Sequence, residues 1–358
     1  MDKTTKIWTL SLAKTIKTTK SFNYPFSKGT KNIWNIPINL KIKNSFGRLL
    51  SKQPKKRDKN VKIWLAEQKE VVPLKEKDFP LIFVIHNGRR FLPSFLKHYR
   101  DLGVTRFLCV DDASTDGSTE YLLNEPDVDV HFSNVRYGAA ARSKTWRELL
   151  AALYGKNRWY LNVDVDEYLF TGCNATMSIS DYANHLYVNG IYRLPAPMID
   201  MVPGGSLDEA VLDDYTDPWK ICDFFDAAGY SGTVRAGGLK LYGGARERLW
   251  NADVELMKYP LIYWDDHTSM GVSIHSPWPT HRNHAPVCGA LLHFKVFADV
   301  KKISKGALDT GQYFDGNREY KLMLDYFSKS ETQRLTYEGS IHFENEETLI
   351  KNGMVKLI

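Results

Sequence analysis

The stretch Trp159-Tyr-Leu-Asn-Val-Asp-Val-Asp-Glu167 decides the fold, because it joins a short apolar run to a cluster of carboxylates. A run of this length and composition is typical of a buried strand in an α/β sheet. Asp164 and Asp166 are two residues apart, so an extended backbone points both side chains the same way. Carboxylate oxygens at a strand end suit Mg²⁺ or Mn²⁺. The alternative to a metal site is that these carboxylates lie at a solvated strand end and bind no ligand.

A second acidic strand end lies upstream, where Leu108-Cys-Val110 runs into Asp111-Asp-Ala-Ser-Thr-Asp-Gly-Ser118. Ligands of open α/β sheets bind outside the carboxyl ends of the strands, so two acidic ends predict one shared site. Asp111 or Asp112 is suited to accept hydrogen bonds from a base N–H or a ribose hydroxyl. Turn chemistry is the alternative, because Asp, Ser and Gly favour turns without any ligand.

Apolar runs and amphipathic stretches alternate along the chain from Phe79 to Phe170. Strands are predicted over residues 81–85, 106–110, 128–132 and 159–163, with a helix between each pair. This order predicts a mostly parallel sheet with right-handed crossovers, flanked by helices. Residues 196–250 are rich in Gly and Pro, which favours a binding surface over a scaffold. Residues 290–296 return to strand character.

The composition limits the class of protein. A chain of 358 residues, 43% hydrophobic, is ample for one core domain with an appendage. The 4 cysteines are scattered and form no Cys-x-x-Cys pair, which predicts a reducing compartment and no structural zinc. No apolar window of about 18 residues occurs, and the start lacks an apolar signal segment. We therefore expect a cytoplasmic protein without a transmembrane helix.

The net charge of +6 conceals a basic N-terminal extension. Residues 1–60 carry 15 Lys and Arg against Asp2 and Asp58, giving +13, while the remainder carries 33 basic and 40 acidic residues, giving −7. Trp8, Leu12 and Ile16 are spaced by four, as on a weak helical stripe. An arm on an anionic membrane surface and a basic tail that packs its aromatics on the body both fit. Nucleic acid is disfavoured as a partner, because no recognised nucleic-acid module follows.

Four stretches, in order and spacing, carry a family resemblance. They are Phe83-Val-Ile-His-Asn87, Phe91-Leu-Pro-Ser-Phe-Leu-Lys-His-Tyr-Arg-Asp-Leu-Gly-Val104, Val110-Asp-Asp-Ala-Ser-Thr-Asp-Gly117 and Trp159-Tyr-Leu-Asn-Val-Asp-Val-Asp-Glu-Tyr-Leu169. Together they resemble the family 2 glycosyltransferases of GT-A fold, in the bacterial branch with a D-x-D-E-[YF] element. Later stretches that also look like this branch are Gly243–Arg248, Lys258–Ile262 and Leu291–Lys295. The resemblance runs from Phe79 to Tyr326, so we divide the chain into a basic extension, 1–75, and a GT-A-like domain, 76–358.

The resemblance implies a Rossmann-like domain that transfers a sugar from a nucleotide-sugar donor, expected to be a UDP-sugar, to a hydroxyl of a glycan or glycolipid, with inversion. A Mn²⁺ or Mg²⁺ cofactor is implied on Asp164, Asp166 and His293, with His275 as the rival histidine. Contacts to the donor nucleotide are implied for His86, Asn87, Asp111, Asp112, Asp164 and Lys295.

The sequence departs from the family pattern in two places. Position 86 is His, where relatives tend to carry Arg or another polar residue. The usual Glu-Asp before the acceptor helix has no clear counterpart, although an inverting transfer needs a carboxylate to deprotonate the attacking hydroxyl. Asp265 and Asp266 are our candidates for this base, because they precede His275 and the returning strand. The residues competing for this role are Asp200, Asp213 and Asp214.

Two other functions stay open. A nucleotidyltransferase of sugar phosphates uses a related sheet, but it normally has a Gly-rich basic loop after the first strand, and His86-Asn-Gly-Arg-Arg90 has one glycine. A non-catalytic membrane-binding or partner-binding protein with structural carboxylates is the second. Arg246 and Arg248, in a Gly-rich stretch, are suited to the donor pyrophosphate or an acidic acceptor, or else are solvated surface residues.

The charge asymmetry generates the first prediction. Deleting residues 1–60 should leave transfer activity intact and weaken binding to anionic vesicles, because the attraction comes from the extension alone. Each basic residue near such a surface contributes about 1 kcal/mol, so binding should fall steeply with added salt. Vesicle sedimentation at low and high salt measures this. Equal binding by the full-length and truncated proteins would rule out the membrane role.

Overall fold

The computed structural model describes residues 20–27, 60–68, 70–271, 273–312, 314–329 and 334–357. The strands are β1 Lys20–Phe22, β2 Ile63–Leu65, β3 Pro80–Ile85, β4 Arg106–Asp111, β5 Val128–Ser133, β6 Arg158–Asn162, β7 Glu167–Phe170, β8 Arg193–Val202, β9 Phe224–Asp226, β10 Tyr230–Arg235, β11 Gly238–Gly243, β12 Met257–Trp264, β13 Ala290–Phe294 and β14 Ser340–His342. The α-helices are α1 Leu92–Leu102, α2 Ser118–Leu123, α3 Lys144–Tyr154, α4 Ile179–Val188, α5 Gly244–Trp250, α6 Val300–Thr310, α7 Arg318–Lys329 and α8 Glu346–Lys351. Short 3₁₀ turns span Ala66–Gln68, Arg89–Phe91, Leu207–Glu209, Pro218–Lys220, Thr280–Asn283 and Phe314–Asn317.

Within the described residues, one large sheet of 11 strands dominates the fold, in the order β14-β9-β8-β12-β6-β3-β4-β5-β2, with β13 beside β8 and β7 beside β13. Neighbours among β6, β3, β4 and β5 are parallel. Because β12 is antiparallel to both β6 and β8, strand β8 and its parallel neighbour β13 point the same way as these four. The predicted α/β fold, with a mostly parallel sheet flanked by helices, is confirmed.

The first β-α-β unit shows why the sequence folds this way. The apolar run in β3 is buried on both faces, with Leu81, Ile82 and Phe83 at 0% exposure, as a strand between two helical layers requires. The stripe on α1 faces the sheet, and the helix ends at Gly103, whose φ of 106° is a left-handed conformation that glycine adopts without strain. The predicted helix and its end are thus confirmed.

Strand β8 differs from the prediction, which assigned the start of the Gly- and Pro-rich region to loop. All ten residues of Arg193–Val202 are buried, although Pro195 and Pro197 lie within it. The strand pairs with β12 on one side and β13 on the other, and its register with β12 shifts between Lys258 and Leu261. Burial between two strands therefore outweighs the weak local preference for strand.

The described part of the basic extension belongs to the body of the protein. Strand β1 pairs with β10, and β2 pairs with β5. The Tyr24 hydroxyl donates to the Met354 carbonyl at 3.0 Å, and the Phe26 amide donates to the Gly353 carbonyl at 2.8 Å. For residues 20–27, packing of aromatics on the body is therefore what the structure shows. Trp8, Leu12 and Ile16 lie outside the described residues.

This packing changes which residues a deletion experiment should remove. Removing residues 1–60 would also remove β1 and the buried ring of Tyr24. A deletion that ends at residue 19 keeps this strand and the described contacts of residues 20–27. It removes 4 lysines and Asp2, a net charge of +3, together with Trp8, Leu12 and Ile16, so it tests only that share of the membrane prediction.

A layer of three helices covers the carboxyl end of the sheet. Helices α5, α6 and α7 share a small apolar cluster that includes Trp250, Val300 and Phe327. No helix in the described ranges is both long and apolar enough to cross a bilayer. The layer instead leaves a cavity between itself and the strand ends.

Substitution of Gly353 tests the docking of the N-terminal segment. Gly353 has φ +70°, and a Cβ there would lie 2.1 Å from the Phe26 carbonyl oxygen. Gly353→Ala should lower the free energy of unfolding by more than about 1 kcal/mol, because it adds both strain and a clash. Urea denaturation measures the change.

Gly306→Ala is the matched control, because Gly306 lies in helix α6 and a Cβ there meets open space. Alanine should be neutral or stabilising at that position by about 0.5–1 kcal/mol. Equal stability of the Gly353 variant and the wild type would show that the segment is not docked as described.

Candidate active site

A cavity of about 330 Å³ lies at the carboxyl ends of β3, β4 and β6. His86 and Asn87 reach it from the end of β3, Asp112 from the end of β4, and Asp166 from the turn after β6. Helices α6 and α7 close the opposite wall. The two acidic strand ends therefore meet at one cavity, as their positions at the ends of parallel strands predict.

His293 stands at the centre of the acidic cluster. In the register of the sheet it lies opposite Glu167 of β7 on one side and opposite Asp200 of β8 on the other. Directly opposite residues project from the same face of a sheet, so this one row brings three polar side chains together. The Asp166 carbonyl also accepts a hydrogen bond from the Phe294 amide at 3.0 Å, which fixes the turn against β13.

The two ring nitrogens of His293 have different partners. Nδ1 lies 2.7 Å from Asp200 Oδ1, and Nε2 lies 3.5 Å from Asp166 Oδ2. Arg246 donates to both Asp200 oxygens, at 2.5 and 2.6 Å. Asp200 thus holds a proton on Nδ1 and leaves Nε2 facing Asp166. A carboxylate behind a histidine in this manner is the arrangement that orients histidines toward metals.

The charges of His293, Asp166 and Asp200 stabilise one another. Burial would lower the pKa of His293, but the carboxylates of Asp166 and Asp200 outweigh burial and raise it. Burial would raise the pKa of Asp200, yet Arg246 and His293 hold it well below its usual range. The pKa of Asp166 is lowered too, because His293 outweighs the effect of burial. Both aspartates are therefore charged at neutral pH.

The turn after β6 is held from behind by two buried cations. Arg147 donates to Asp164 Oδ1 at 2.5 Å, and Lys258 donates to Asp164 Oδ2 at 2.7 Å and also to Glu167. Burial raises the pKa of Glu167 even though Lys258 opposes the effect. Lys258 and Arg147 were not anticipated from the sequence, where no local pattern marks them.

Among the residues that the structure describes, Asp166, Glu167 and His293 have ligand atoms close enough together to hold one cation, within 4.8 Å of one another. Asp164 is not in this group, which corrects the expectation that it joins Asp166 on the ion. Its two oxygens face Arg147 and Lys258, because the chain turns between residues 164 and 167 instead of staying extended. Glu167 takes the place of Asp164 beside Asp166 and His293.

The rival histidine has a different environment. His275 Nδ1 lies 2.8 Å from the Met257 carbonyl. Burial, followed by the charge of Lys258, lowers the pKa of His275 to about 3. A cation next to the imidazole opposes metal binding there, so the geometry favours His293.

The first of the two donor-site aspartates stabilises its own turn. Asp111 is 3% exposed, and it accepts hydrogen bonds from the Ser114 hydroxyl at 2.6 Å and from Thr119. This corrects its assignment to the nucleotide, because both oxygens are used inside the loop. Asp112 does line the cavity, and Arg136 donates to its Oδ1 at 2.8 Å.

His86 and Asn87 are held at the cavity by the same loop. His86 Nδ1 lies 2.7 Å from the Asp112 carbonyl, and Asn87 Oδ1 accepts from the Thr115 amide at 2.7 Å. Asn87 has φ +54°, a left-handed conformation that Asn tolerates better than most residues. Both residues therefore line the cavity, and their contact with a donor nucleotide stays a prediction.

The structure does not bring the predicted catalytic bases to this site. Trp264 at the end of β12 pairs with Arg158 at the start of β6, so Asp265 and Asp266 lie at the opposite edge of the sheet. Asp265 accepts from Arg282 at 2.6 Å, and Asp266 is 75% exposed and pairs with Lys156. The sequence could not show that β12 runs antiparallel to β6.

The other competing carboxylates are not available either. Asp214 pairs with Arg89 at 2.7 Å, and neither Asp213 nor Asp214 lines the cavity. Asp200 is at the site, but it is bound to His293 and Arg246.

The two arginines of the Gly-rich stretch bond to carboxylates inside the protein. Arg246 is bound to Asp200, and Arg248 donates to Asp226 at 2.7 and 3.0 Å. This corrects the expectation that they contact a pyrophosphate or an acidic acceptor. Lys295 lines the cavity as predicted and lies 3.1 Å from Glu319, a residue of α7 that sequence reasoning missed.

Comparisons with known proteins add little to this geometry. No family model matches the sequence, and no curated protein matches it. The chain is similar to the crystal structure of HddC from Yersinia pseudotuberculosis, with 15% identity over 36% of this chain and 63% of that one, at a TM-score of 0.24. It is also similar to a proposed glucose-1-phosphate thymidylyltransferase from Bacillus anthracis in complex with sucrose, with 10% identity over 37% of this chain and 57% of that one, at a TM-score of 0.22. The chain thus spans less than two thirds of either protein, and similarity this low carries no argument about activity.

Replacing Lys258 tests whether the turn depends on its buried cation. Lys258→Met keeps the volume of the side chain and leaves the buried Glu167 carboxylate without its ion pair. The free energy of unfolding should fall by about 3 kcal/mol or more, the usual cost of breaking a buried pair from one side. Urea denaturation at neutral pH measures it.

Lys156→Met is the control, because it removes a lysine from the exposed pair with Asp266 and should cost less than about 1 kcal/mol. Similar losses in the two variants would contradict the role given to Lys258.

Proposed function

We propose that this protein is a metal-dependent glycosyltransferase that moves a sugar from a nucleotide-sugar donor to a hydroxyl of a glycan or glycolipid. The observation that carries the proposal is the row of Asp200, His293 and Glu167, with Asp166 beside it, at the carboxyl ends of parallel strands. If these residues were only structural, we would not expect the Nε2 atom of His293 and the charged carboxylate of Asp166 to face a cavity.

The donor set fits Mn²⁺ or Mg²⁺. Asp166 and Glu167 would supply carboxylate oxygens, the ligands that suit Mg²⁺ and Mn²⁺, and His293 would supply Nε2. Bound there, the ion would neutralise charge on a nucleoside diphosphate leaving group. Glu167 would have to share its carboxylate with Lys258, so Asp166 and His293 are the principal ligands in this proposal.

The other side chains of the cavity suit the rest of a nucleotide donor. Asp112 can accept hydrogen bonds from a base or a ribose, and His86 and Asn87 frame the same end of the cavity. Lys295, which is ion-paired with Glu319, lines the same cavity. A volume of about 330 Å³ lies at the small end of the range for ligand pockets. We infer a UDP-sugar from the family resemblance, and inversion from the same source.

The loop after β3 argues against a nucleotidyltransferase. Gly88 is its one glycine, and a Cβ there would lie 2.9 Å from Val165, so this glycine is needed to pack the loop against the turn after β6. Assays of a nucleotide-sugar panel for hydrolysis or transfer, beside UTP with sugar 1-phosphates for pyrophosphate release, separate the two activities. Pyrophosphate release alone would favour the nucleotidyltransferase, and inactivity in both would favour the non-catalytic binding protein.

Asp166→Asn should abolish Mn²⁺-dependent binding of UDP and leave the fold unchanged. It removes a charged ligand that lies on the cavity side of the turn and forms no ion pair with Arg147 or Lys258. Asp200→Asn should weaken Mn²⁺ binding about 10–100-fold, the usual effect of losing the carboxylate behind a ligating histidine. Calorimetry of UDP with Mn²⁺ measures both.

Asp266→Asn is the matched control, because it lies at the far edge of the sheet and should bind UDP as the wild type does. Retained metal-dependent binding in Asp166→Asn would refute the metal assignment, and loss in Asp266→Asn would point to the catalytic loop that the sequence first indicated.

A further inference from the structure

A second cavity of about 490 Å³ adjoins the first. The two share a wall that includes Lys295, Glu319 and Tyr320. The second cavity extends away from the strand ends between Tyr137 and Tyr242, and nothing in the proposed donor site uses it. Because the second cavity lies beside the proposed sugar-transfer site, it is suited to bind a ligand other than the nucleotide-sugar donor.

We propose that the second cavity binds the acceptor, that the acceptor is an uncharged polyhydroxylated chain, and that Glu319 receives the proton of its attacking hydroxyl. This inference rests on the proposed function, because it assigns the second substrate of the same reaction.

The pairing of charges in the cavity points to an uncharged ligand. Lys295 is paired with Glu319, and Glu255 is paired with Lys240. Lys144 donates to the Gly271 carbonyl at 2.7 Å. Arg142 and Arg318 also line this cavity, and both have interaction partners too. An anionic acceptor would need a cation whose partner it could replace, and each lysine and arginine of this lining already has a partner. Hydroxyl groups can add to such pairs by hydrogen bonding without displacing them.

Aromatic side chains supply the apolar surface that a sugar ring needs. Tyr137, Tyr242 and Tyr320 line the cavity, and a tyrosine side chain combines an aromatic ring with a polar hydroxyl. Pockets that combine aromatic walls with a few polar groups are typical of specific small-molecule sites.

Glu319 is the carboxylate placed between the two substrates. Its Oε2 accepts from Lys295 at 3.1 Å, while its Oε1 lies 3.4 Å from Arg246 Nη1 and accepts no hydrogen bond from the described residues. Buried oxygens usually have a hydrogen-bond donor, so this oxygen is suited to a hydroxyl that arrives with a ligand. Burial would raise the pKa of Glu319, but Lys295 and Arg246 outweigh burial and lower it, so the carboxylate is charged.

The proposed transfer forms one bond at the anomeric carbon and breaks another. The acceptor oxygen forms a bond to the anomeric carbon while the bond from that carbon to the diphosphate oxygen breaks. The diphosphate leaves with the electron pair toward Asp166 and His293, and the hydroxyl proton passes to Glu319. Glu319 lies on the wall between the two cavities, where it can reach the hydroxyl of an acceptor in the second one.

Two variants test the acceptor site, each with a matched control. Tyr242→Ala removes one aromatic wall and Tyr242→Phe keeps the ring. Glu319→Gln removes the base but keeps the shape, and Glu247→Gln changes an exposed glutamate of α5. Calorimetry of UDP with Mn²⁺ should give wild-type affinity for both Tyr242 variants and for Glu247→Gln, and thermal melting shows whether each of the four variants is folded. Binding to an array of neutral and acidic oligosaccharides is then compared.

We expect the wild type to retain neutral oligosaccharides, Tyr242→Ala to bind them at least about tenfold more weakly, and Tyr242→Phe to bind them normally. With the best neutral saccharide and the nucleotide sugar that the protein hydrolyses fastest, Glu319→Gln should lower kcat about 100-fold or more with KM unchanged. A purely structural role for Glu319 would change melting instead.

Retention of acidic saccharides alone, no saccharide binding by a protein that binds UDP, or full activity of Glu319→Gln would overturn this inference and leave the proposed function intact. Failure of Glu319→Gln to fold would overturn the base assignment, since it would show a structural dependence, and Tyr242→Ala would still decide the acceptor site. A wild-type protein that binds no UDP with Mn²⁺ would overturn both proposals.

Discussion

Buried cations behind the carboxylates are the constraint on which the site depends. Five acidic side chains converge at the carboxyl end of the sheet, and like charges so close repel one another unless each has a partner. Lys258, Arg147 and Arg246 supply those partners from the protein side, with Lys295 beside the cavity. Each cation lies where water is largely excluded, so the pairs are weakly screened and removal of one member leaves an uncompensated charge. The acidic residues that converge here are Asp164, Asp166, Glu167, Asp200 and Glu319.

The cations also divide the carboxylates by role. Both carboxylate oxygens of Asp164 accept hydrogen bonds, one from Arg147 and one from Lys258, so Asp164 anchors the turn while Asp166 faces the cavity. Asp200 is held by Arg246 and in turn orients His293. Two aspartates that look equivalent in the sequence thus differ in function, because one has cations behind it and the other has an imidazole in front of it.

The helical layer turns this row of side chains into a site with two compartments. Helices α6 and α7 pack on α5 through a separate apolar cluster, and α7 places Glu319 at the wall between the cavities. Strand ends provide the polar groups of one compartment, whereas Tyr137, Tyr242 and Tyr320 are among the residues that line the other. Their different chemistry is consistent with a charged donor in the first and a neutral acceptor in the second.

The sequence by itself determined the α/β fold, the helix ending at Gly103, and the acidic strand ends that meet at one cavity, because these follow from local periodicity and from the rule that parallel strands end at one edge. It also indicated Asp166, Asp112 and His293. Only the tertiary structure showed that Glu167 replaces Asp164 in the cluster, that Asp111 serves its own turn, and that Asp265 and Asp266 lie at the far edge. These outcomes depend on the direction of β12 and on the register of β13 between β7 and β8. Pairings between residues 93 positions apart, such as Asp200 with His293, leave no local pattern in the chain.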